Sequence, residues 1–528
     1  MQQKKLTQIF NKNKNILKEL IYIFLISSSA IFFTYYYGYI GVFPIDSFLI
    51  YDAGYKILNG FHPFKDYWTI TGPLLDYIQF IFFKFLGINW LSYVLHAASI
   101  NLLLTLSLYY FFAKLGLNKF YCFIYSLSCS ILAYPSIGTP FVDHHAVIFS
   151  LISVLFIILA IKHDFKSFWF LTSLFLFLSF FSKQIPSAYL MILFTFIIGT
   201  IFYLNNFKNL RNLIYVIYGG VLPSILLIIF FNINDILIKD FFIQYFLYPM
   251  GIGEQRKLNI IFTFNKIFSQ FKFIYFSLIP LIFVIFKLKK KLRKKLEVKK
   301  DLVIIFAILF SVSIFLYTQM ITKNQILIFF VIPFILGTSH YFYNKYINES
   351  KKLQFFVLFI LIISTIKFHI RFNENKKFME LNNVDLNLAV DAKVLDESLN
   401  NLQWISPKYS KNPKRELDQL SQLKKIILLD GEKKIILSNY QLLPAITGTK
   451  TITPNKWFDD LSVPDKNNKY FNYYKYFFIN KLKEQNIKNI YITENKINYI
   501  TNVFGEECLQ VKILNELARK VNILSCLK

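Results

Sequence analysis

The sequence predicts an all-α polytopic membrane domain of about eleven transmembrane helices, residues 1–371, followed by a small soluble α/β domain, residues 372–528. Three observations carry this reading. The chain is 55% hydrophobic and 19% aromatic with a mean hydropathy of +0.44, more apolar area than a soluble core of 528 residues could bury. Charged residues make up only 17%, too few to cover a soluble surface. Apolar runs of membrane-crossing length recur to about residue 370, and beyond it Lys, Asn, Asp and Glu are spread throughout.

Spans are expected near 20–41, 89–113, 119–137, 146–161, 167–182, 184–204, 212–232, 269–286, 302–320, 325–343 and 353–370. The formal charge of +28 is concentrated between these runs. With a cytoplasmic N-terminus, the loops 113–119, 162–166, 205–212, 287–301 and 344–353 lie inside, and the densely basic stretch 287–300 obeys the positive-inside rule. The charge is thereby explained by topology, and no nucleic-acid partner is inferred. An odd number of spans puts the C-terminal domain on the outer face of the inner (plasma) membrane. The first span follows five lysines and lacks a small-residue cleavage site, which fits a retained anchor better than a removed signal peptide.

Three outer regions follow: 42–89, 232–266 and everything after Arg371. Within the first, Pro73 to Leu86 is apolar but too short to cross, and Asp76 and Lys84 interrupt it, so it reads as an interfacial helix. In the last, strands are expected at Lys425–Leu429, Lys434–Leu437 and Asn489–Thr493, and helices at Tyr470–Gln485 and Leu509–Val521. Cys122 and Cys129 lie seven apart in one span and read as packing. Cys508 and Cys526 fall in the outer, oxidising compartment, where a disulfide between them is expected.

The first outer loop sets Asp46, Asp52, Asp66 and His62 among aromatics such as Tyr55. Asp46 directly follows the first span, at the depth of lipid head groups. A carboxylate there can take a proton from an incoming hydroxyl, and a lowered dielectric raises its pKa toward that task. Between spans three and four, Asp143, His144 and His145 open the next helix. They are either metal-ligand chemistry or a cap and two interfacial imidazoles; adjacent helical His residues point about 100° apart and cannot easily share one ion. Lys183, at the predicted outer ends of two spans, is not needed for topology, and a phosphate is its natural partner. Arg256 and Lys257 repeat that argument more weakly beside Gly251 and Gly253, in a segment suited to a lid. The stretches Trp457 to Asp460 and Tyr470 to Tyr474 fit either a glycan surface or ordinary packing. No Walker-type loop, dinucleotide fingerprint, His-Glu-x-x-His or serine elbow occurs, which argues against nucleotide hydrolysis, redox chemistry and zinc proteolysis.

In this order of features the membrane half, roughly residues 15–370, resembles the GT-C class of integral-membrane glycosyltransferases. The nearest branch is that of the protein mannosyltransferases and the aminoarabinose transferase, glycosyltransferase family 39. Asp46 stands where that family has its catalytic carboxylate, Tyr55 to Gly60 at its helix end, and Thr71-Gly72-Pro73-Leu74 at its Pro-Leu element. Asp143 stands at the second functional acid and Lys183 at a basic residue that meets the donor phosphate. The chain departs from the family where Ser47 follows Asp46 in place of an acid and Thr71 replaces a Lys; Asp66 and Lys65 are the nearby substitutes.

The resemblance implies inverting transfer of a sugar from a polyprenyl-phosphate donor in the bilayer to a glycan, lipid or protein acceptor on the outer face. Asp46 is then the base, and Asp143 with Asp66 positions the acceptor or a divalent ion such as Mg, Mn or Zn. Lys183, Arg256 and Lys65 hold the donor phosphate, and Asp52, Tyr55, His62, His144 and His145 are candidates for contacting sugar or acceptor. The rival expectation is a transporter or flippase of lipid-linked saccharides, which would call for ionisable residues deep in the spans and matched halves; the sequence has few of the first and none of the second.

Overall fold

The computed structural model describes residues 2–208, 210–258, 263–289, 296–322, 328–347, 350–494 and 496–527. It is mostly helical, and eight of the described helices are long and apolar enough to cross a membrane: Ile16–Gly38, Trp90–Leu115, Val142–His163, Ser187–Leu204, Asn212–Ile233, Ile267–Leu288, Leu296–Thr322 and Lys351–Met379. The other three expected spans fall on shorter helices, Lys119–Leu132, Lys166–Ser182 and Val331–Tyr346. The first of these stops early because Pro135, Gly138 and Pro140 follow within eight residues of its end, and Gly138 takes a positive φ of 75°. The start of the expected span 325–343, and residues 290–295 of the basic stretch 287–300, lie outside the described residues.

In chain order the helices that matter below are α1 (Gln2–Gly38), α2 (Pro44–Ser47), α3 (Leu49–Leu58), α4 (Leu74–Leu86), α5 (Trp90–Leu115), α6 (Lys119–Leu132), α7 (Val142–His163), α8 (Lys166–Ser182) and α9 (Ser187–Leu204). They continue with α10 (Leu213–Ile233), α11 (Ile238–Phe242), α12 (Tyr248–Leu258), α13 (Gln270–Lys289), α14 (Leu296–Thr322), α15 (Val331–Tyr346) and α16 (Lys351–Phe368). α7 is buried along almost its whole length, whereas α10 leaves nearly every Ile and Leu exposed. A helix apolar on all sides is stable in such positions only inside a bundle or against lipid, so α7 is the central post and α10 a peripheral one. The apolar stretch Pro73 to Leu86 forms the helix α4, with Leu75, Asp76, Gln79 and Phe83 buried and Ile81, Phe85 and Leu86 exposed.

The C-terminal part holds a two-stranded pairing of β1 (Val390–Asp391) with β2 (Gln403–Trp404) and a four-stranded sheet. The sheet is ordered β3 (Lys434–Leu437), β4 (Asn489–Thr493), β6 (Ala518–Asn522), β5 (Gln510–Ile513), with only the β3–β4 pair parallel. Its helices include α17 (Pro413–Leu429) and, in the crossover between β3 and β4, α18 (Leu443–Ile446) and α19 (Phe471–Glu484). Two expectations are corrected. Lys425–Leu429 is the end of α17, because the buried positions Leu417, Leu420, Leu423 and Ile427 recur at helical spacing from well upstream. Leu509–Val521 is the β5–β6 hairpin, turned where the Asn515 side chain accepts from the backbone N–H groups of Leu517 and Ala518. Cys508 and Cys526, flanking this hairpin, are joined by a disulfide.

The two parts are locked together through the first loop. Trp68 exchanges backbone hydrogen bonds with Pro454 and Lys456, and its indole N–H donates to Ser462 O at 3.1 Å. Lys56 Nζ donates to Asn455 O at 2.9 Å while pairing with Asp52 at 2.7 Å. Lys456 Nζ lies 2.5 Å from Asp76 Oδ1, and Tyr67 donates to the other oxygen of Asp76 at 3.0 Å. Asp76 and Lys456 are both buried, so either charge left alone would face a large desolvation penalty. We expect Asp76→Asn or Lys456→Met alone to lower stability by about 3–5 kcal/mol. The double replacement should lose clearly less than the sum, and a double-mutant cycle on unfolding in detergent checks it; additive losses would mean that the pair does not interact.

Candidate functional site

Asp46 sits on α2, a single turn started by Pro44, whose missing N–H is no loss at a helix start. The turn is held on both sides. Phe43 N–H donates to Ser47 Oγ at 2.9 Å, and Ser47 O accepts from Tyr93 OH at 2.9 Å and Thr139 Oγ1 at 3.2 Å. Just before it, Gly41 and Val42 donate to the backbone of Gln403 and Ile405. The Asp46 carboxylate, though buried, takes no hydrogen bond from any described group.

Asp143 lies in the first turn of α7, where the free N–H groups favour an anion. Its Oδ1 is 2.5 Å from Lys183 Nζ, which projects from the residue that ends α8. Gly72 makes this approach feasible. A Cβ there would lie 1.8 Å from Phe181 O, and Gly72 N–H donates to Ser182 O at 3.0 Å, so the first loop runs directly over the end of α8. Gln184 adds a clamp, donating to Ile70 O at 2.9 Å and Tyr245 O at 2.7 Å.

Asp46, Thr71, Asp143, Lys183 and Arg256 line one cavity of about 540 Å³. Glu254 and Lys257 of α12 and Trp457, Asp459 and Ser462 of the C-terminal part complete its polar wall. Apolar residues also line it: Ile185, Ala188 and Tyr189 at or just before the start of α9, Phe246 and Met250, and Ile321 at the end of α14. Tyr189 also lines an apolar groove of about 580 Å³ that runs between α9 and α14 past Ile192, Phe196, Phe310 and Tyr317.

The charges of the cavity act on one another. Burial pushes Asp46 up to about 7, the negative charges of Asp143 and Asp459 push the same way, and Lys183 opposes them. Burial and the Arg256 charge pull Lys183 below the usual lysine range, against the pull of Asp143 and Asp46. A carboxylate poised near neutrality beside a readily desolvated ammonium can exchange a proton with a hydroxyl and offset charge appearing on a phosphate.

The remaining expected residues are engaged elsewhere and do not line the cavity. Asp66 accepts from His62 N–H at 2.8 Å and lies 3.7 Å from Lys481 Nζ, and Lys65 donates to Asn234 O at 2.8 Å. Asp52 is held by Lys56, Tyr55 OH donates to Thr449 O at 3.4 Å, and His62 Nδ1 is 3.1 Å from Tyr77 OH. His144 Nε2 donates to Ala133 O at 2.8 Å.

His145 belongs to a buried chain. Its Nδ1 donates to Phe141 O at 3.0 Å, so its Nε2 accepts from His96 Nε2 at 3.2 Å. His96 Nδ1 must then accept in turn; the Gln79 atom 2.9 Å from it is Oε1, and turning that amide over presents its Nε2, which has no partner among the described residues, as the donor that completes the chain. These imidazoles tie α4 and α5 to the helix that carries Asp143.

Asp143 and Asp66 are thus not brought together in the cavity. One is occupied by Lys183 and the other by Lys481 and a backbone N–H, and no group of three or more His, Cys, Asp or Glu that could hold a metal occurs among the described residues. Trp457 and Asp459 reach the cavity from 411 and 413 residues beyond Asp46, and only the aromatic-acidic stretch Trp457 to Asp460 hinted at them. No protein-family model and no curated protein matches the chain.

Because the folded value of Asp46 lies above its ordinary value of 3.8, the folded state binds the extra proton between roughly pH 4 and 7. Stability from this group is thus present at low pH and lost as pH rises through about 7. Asp46→Asn should be no less stable than the wild type at pH 8, by thermal unfolding. Infrared titration should show a protonated carboxyl band with a midpoint near 7 that vanishes in Asp46→Asn and moves to lower pH in Asp459→Asn; a midpoint near 4 in the wild type would remove the poised acid.

Proposed function

We propose that the chain is a membrane glycosyltransferase of the GT-C type, moving a sugar from a polyprenyl-phosphate donor to a hydroxyl-bearing acceptor at the outer membrane surface. The observation that carries this reading is the shape of the cavity. The cavity that holds the unbonded Asp46, the Asp143–Lys183 pair and Arg256 shares Tyr189 with an apolar groove between two helices of membrane-crossing length. A donor with a charged head and a long apolar tail has both halves accommodated by that arrangement, and neither a soluble nucleotide sugar nor an ion needs the groove.

In this reading the acceptor hydroxyl gives its proton to the Asp46 carboxylate as its oxygen attacks the anomeric carbon. The bond from that carbon to the phosphate oxygen breaks with its electron pair, and the configuration inverts. Lys183 and Arg256 offset the charge gathering on the leaving polyprenyl phosphate, in a partly dry cavity where such pairing is strong. Asp143 keeps Lys183 charged and aimed, since burial alone favours loss of its proton. Trp457 offers a ring face, and its buried indole N–H has no partner among the described residues, so it suits the sugar or the acceptor. An N-terminus on the cytoplasmic side and a C-terminal α/β domain, residues 372–528, on the outer side complete the proposal.

Purified protein supplied with a panel of polyprenyl-phosphate sugars should transfer or slowly hydrolyse one of them, and Asp46→Asn should lower turnover by about 10²- to 10⁴-fold. The rate should rise with pH through about 7 as Asp46 ionises, and fall again below the usual lysine range as Lys183 loses its proton. Full activity in Asp46→Asn would remove the assignment. Tight saccharide-lipid binding with no turnover of any donor would favour a transporter.

A further inference from the structure

A second concentration of positive charge lies outside the cavity, at the same end of the helices. Lys272 is on α13, Lys367 on α16, and Arg371 one turn beyond it. Lys272 Nζ and Lys367 Nζ lie 5.8 and 5.1 Å from the centre of one ring, Phe273, and Phe273 meets Phe368 edge-on at 5.8 Å. The Lys272 ammonium and the Arg371 guanidinium are each near enough to bear on the charge of Lys367. Arg371 Nε is buried with no hydrogen-bond partner among the described residues. None of the three cations has an acidic partner among those residues, and the adjacent Glu374 is 3.4 Å from His369. His369 packs edge-on against Phe33 and Tyr37 at the end of α1, which fixes the cluster at the end of the bundle that carries Asp46.

Three cations that repel one another, partly stripped of water and set against apolar rings, call for an anion. Lys272 is five residues, about 7 Å along the helix, from the start of its apolar helix, near the end of that helix and far from its middle. The expected orientation gives no topological reason for positive charge at this end. Ile366 and Ile370 are exposed beside the cluster, offering an apolar bed next to it that a free ion would not use.

We propose that Lys272, Lys367 and Arg371 form a phosphate-binding site, distinct from the cavity, that holds the phosphodiester of an anionic membrane lipid. Arginine supplies a planar fork and the lysines supply point charges, the combination that suits a phosphate.

The test is native mass spectrometry of the full chain released from micelles containing phosphatidylglycerol or phosphatidylcholine, with inorganic phosphate as competitor. The wild type should retain phosphatidylglycerol, and K272Q/K367Q/R371Q should bind it about tenfold or more weakly. K272R/K367R, which preserves the charge, should retain it, and keeps the test decisive if the triple variant fails to fold. Displacement by inorganic phosphate would identify the phosphate group as sufficient; no displacement would identify the lipid as the ligand. Equal retention by wild type and triple variant, no retention by the wild type, or loss in K272R/K367R would overturn the site. Binding is read directly, so the outcome does not depend on glycosyl transfer.

Discussion

Lys456 and Asp76 meet at 2.5 Å with almost no water around either, and most of the geometry of the cavity depends on that meeting. A buried pair resists separation because each partner alone would be a stranded charge. The pair therefore pins the segment that follows Lys456 onto α4, and with it Trp457 and Asp459 over Asp46. Trp68, sandwiched between the same two pieces, adds its backbone and indole hydrogen bonds, so the C-terminal segment behaves as one wall of the first loop.

The second constraint is the rigidity of α7. A helix buried along its length cannot rotate to adjust Asp143, and the His145–His96–Gln79 chain holds its first turn to α5 and α4. Lys183 is set by the end of α8, which the first loop crosses at Gly72. The result is a carboxylate without a hydrogen-bond partner among the described groups, Asp46, in the same cavity as one paired with Lys183, Asp143. The difference between the two comes from position, since both are buried aspartates near one lysine.

Some of this was legible in the sequence for physical reasons. Asp46, Asp143, Lys183 and Arg256 could be singled out because a charge at membrane depth needs a reason, and the four share a cavity. Asp66, Lys65 and His62 looked similar in sequence, but an ion pair with Lys481 and hydrogen bonds to Asn234 and Tyr77, mostly distant in sequence, engage them outside the cavity. Trp457 and Asp459 could not be joined to Asp46, because only tertiary docking brings them there. The apolar runs marked the helices well, yet hydropathy alone does not see that Pro135, Gly138 and Pro140 shorten α6, or that Leu509–Val521 pairs as a hairpin around Asn515.

On the proposed function, one cavity, walled jointly by the first loop and the C-terminal segment, holds the head of a lipid-linked sugar while the groove between α9 and α14 holds its tail. The most direct measurement is photo-cross-linking with two polyprenyl-phosphate sugars, one carrying the reactive group on the sugar and the other on the first isoprenes, followed by peptide mapping. The sugar probe should label residues around Thr71 and Trp457, and the isoprene probe should label α9 or α14 near Tyr189 and Tyr317. Labelling of both probes at the middle of the helices, or none that saccharide-lipid competes away, would contradict it.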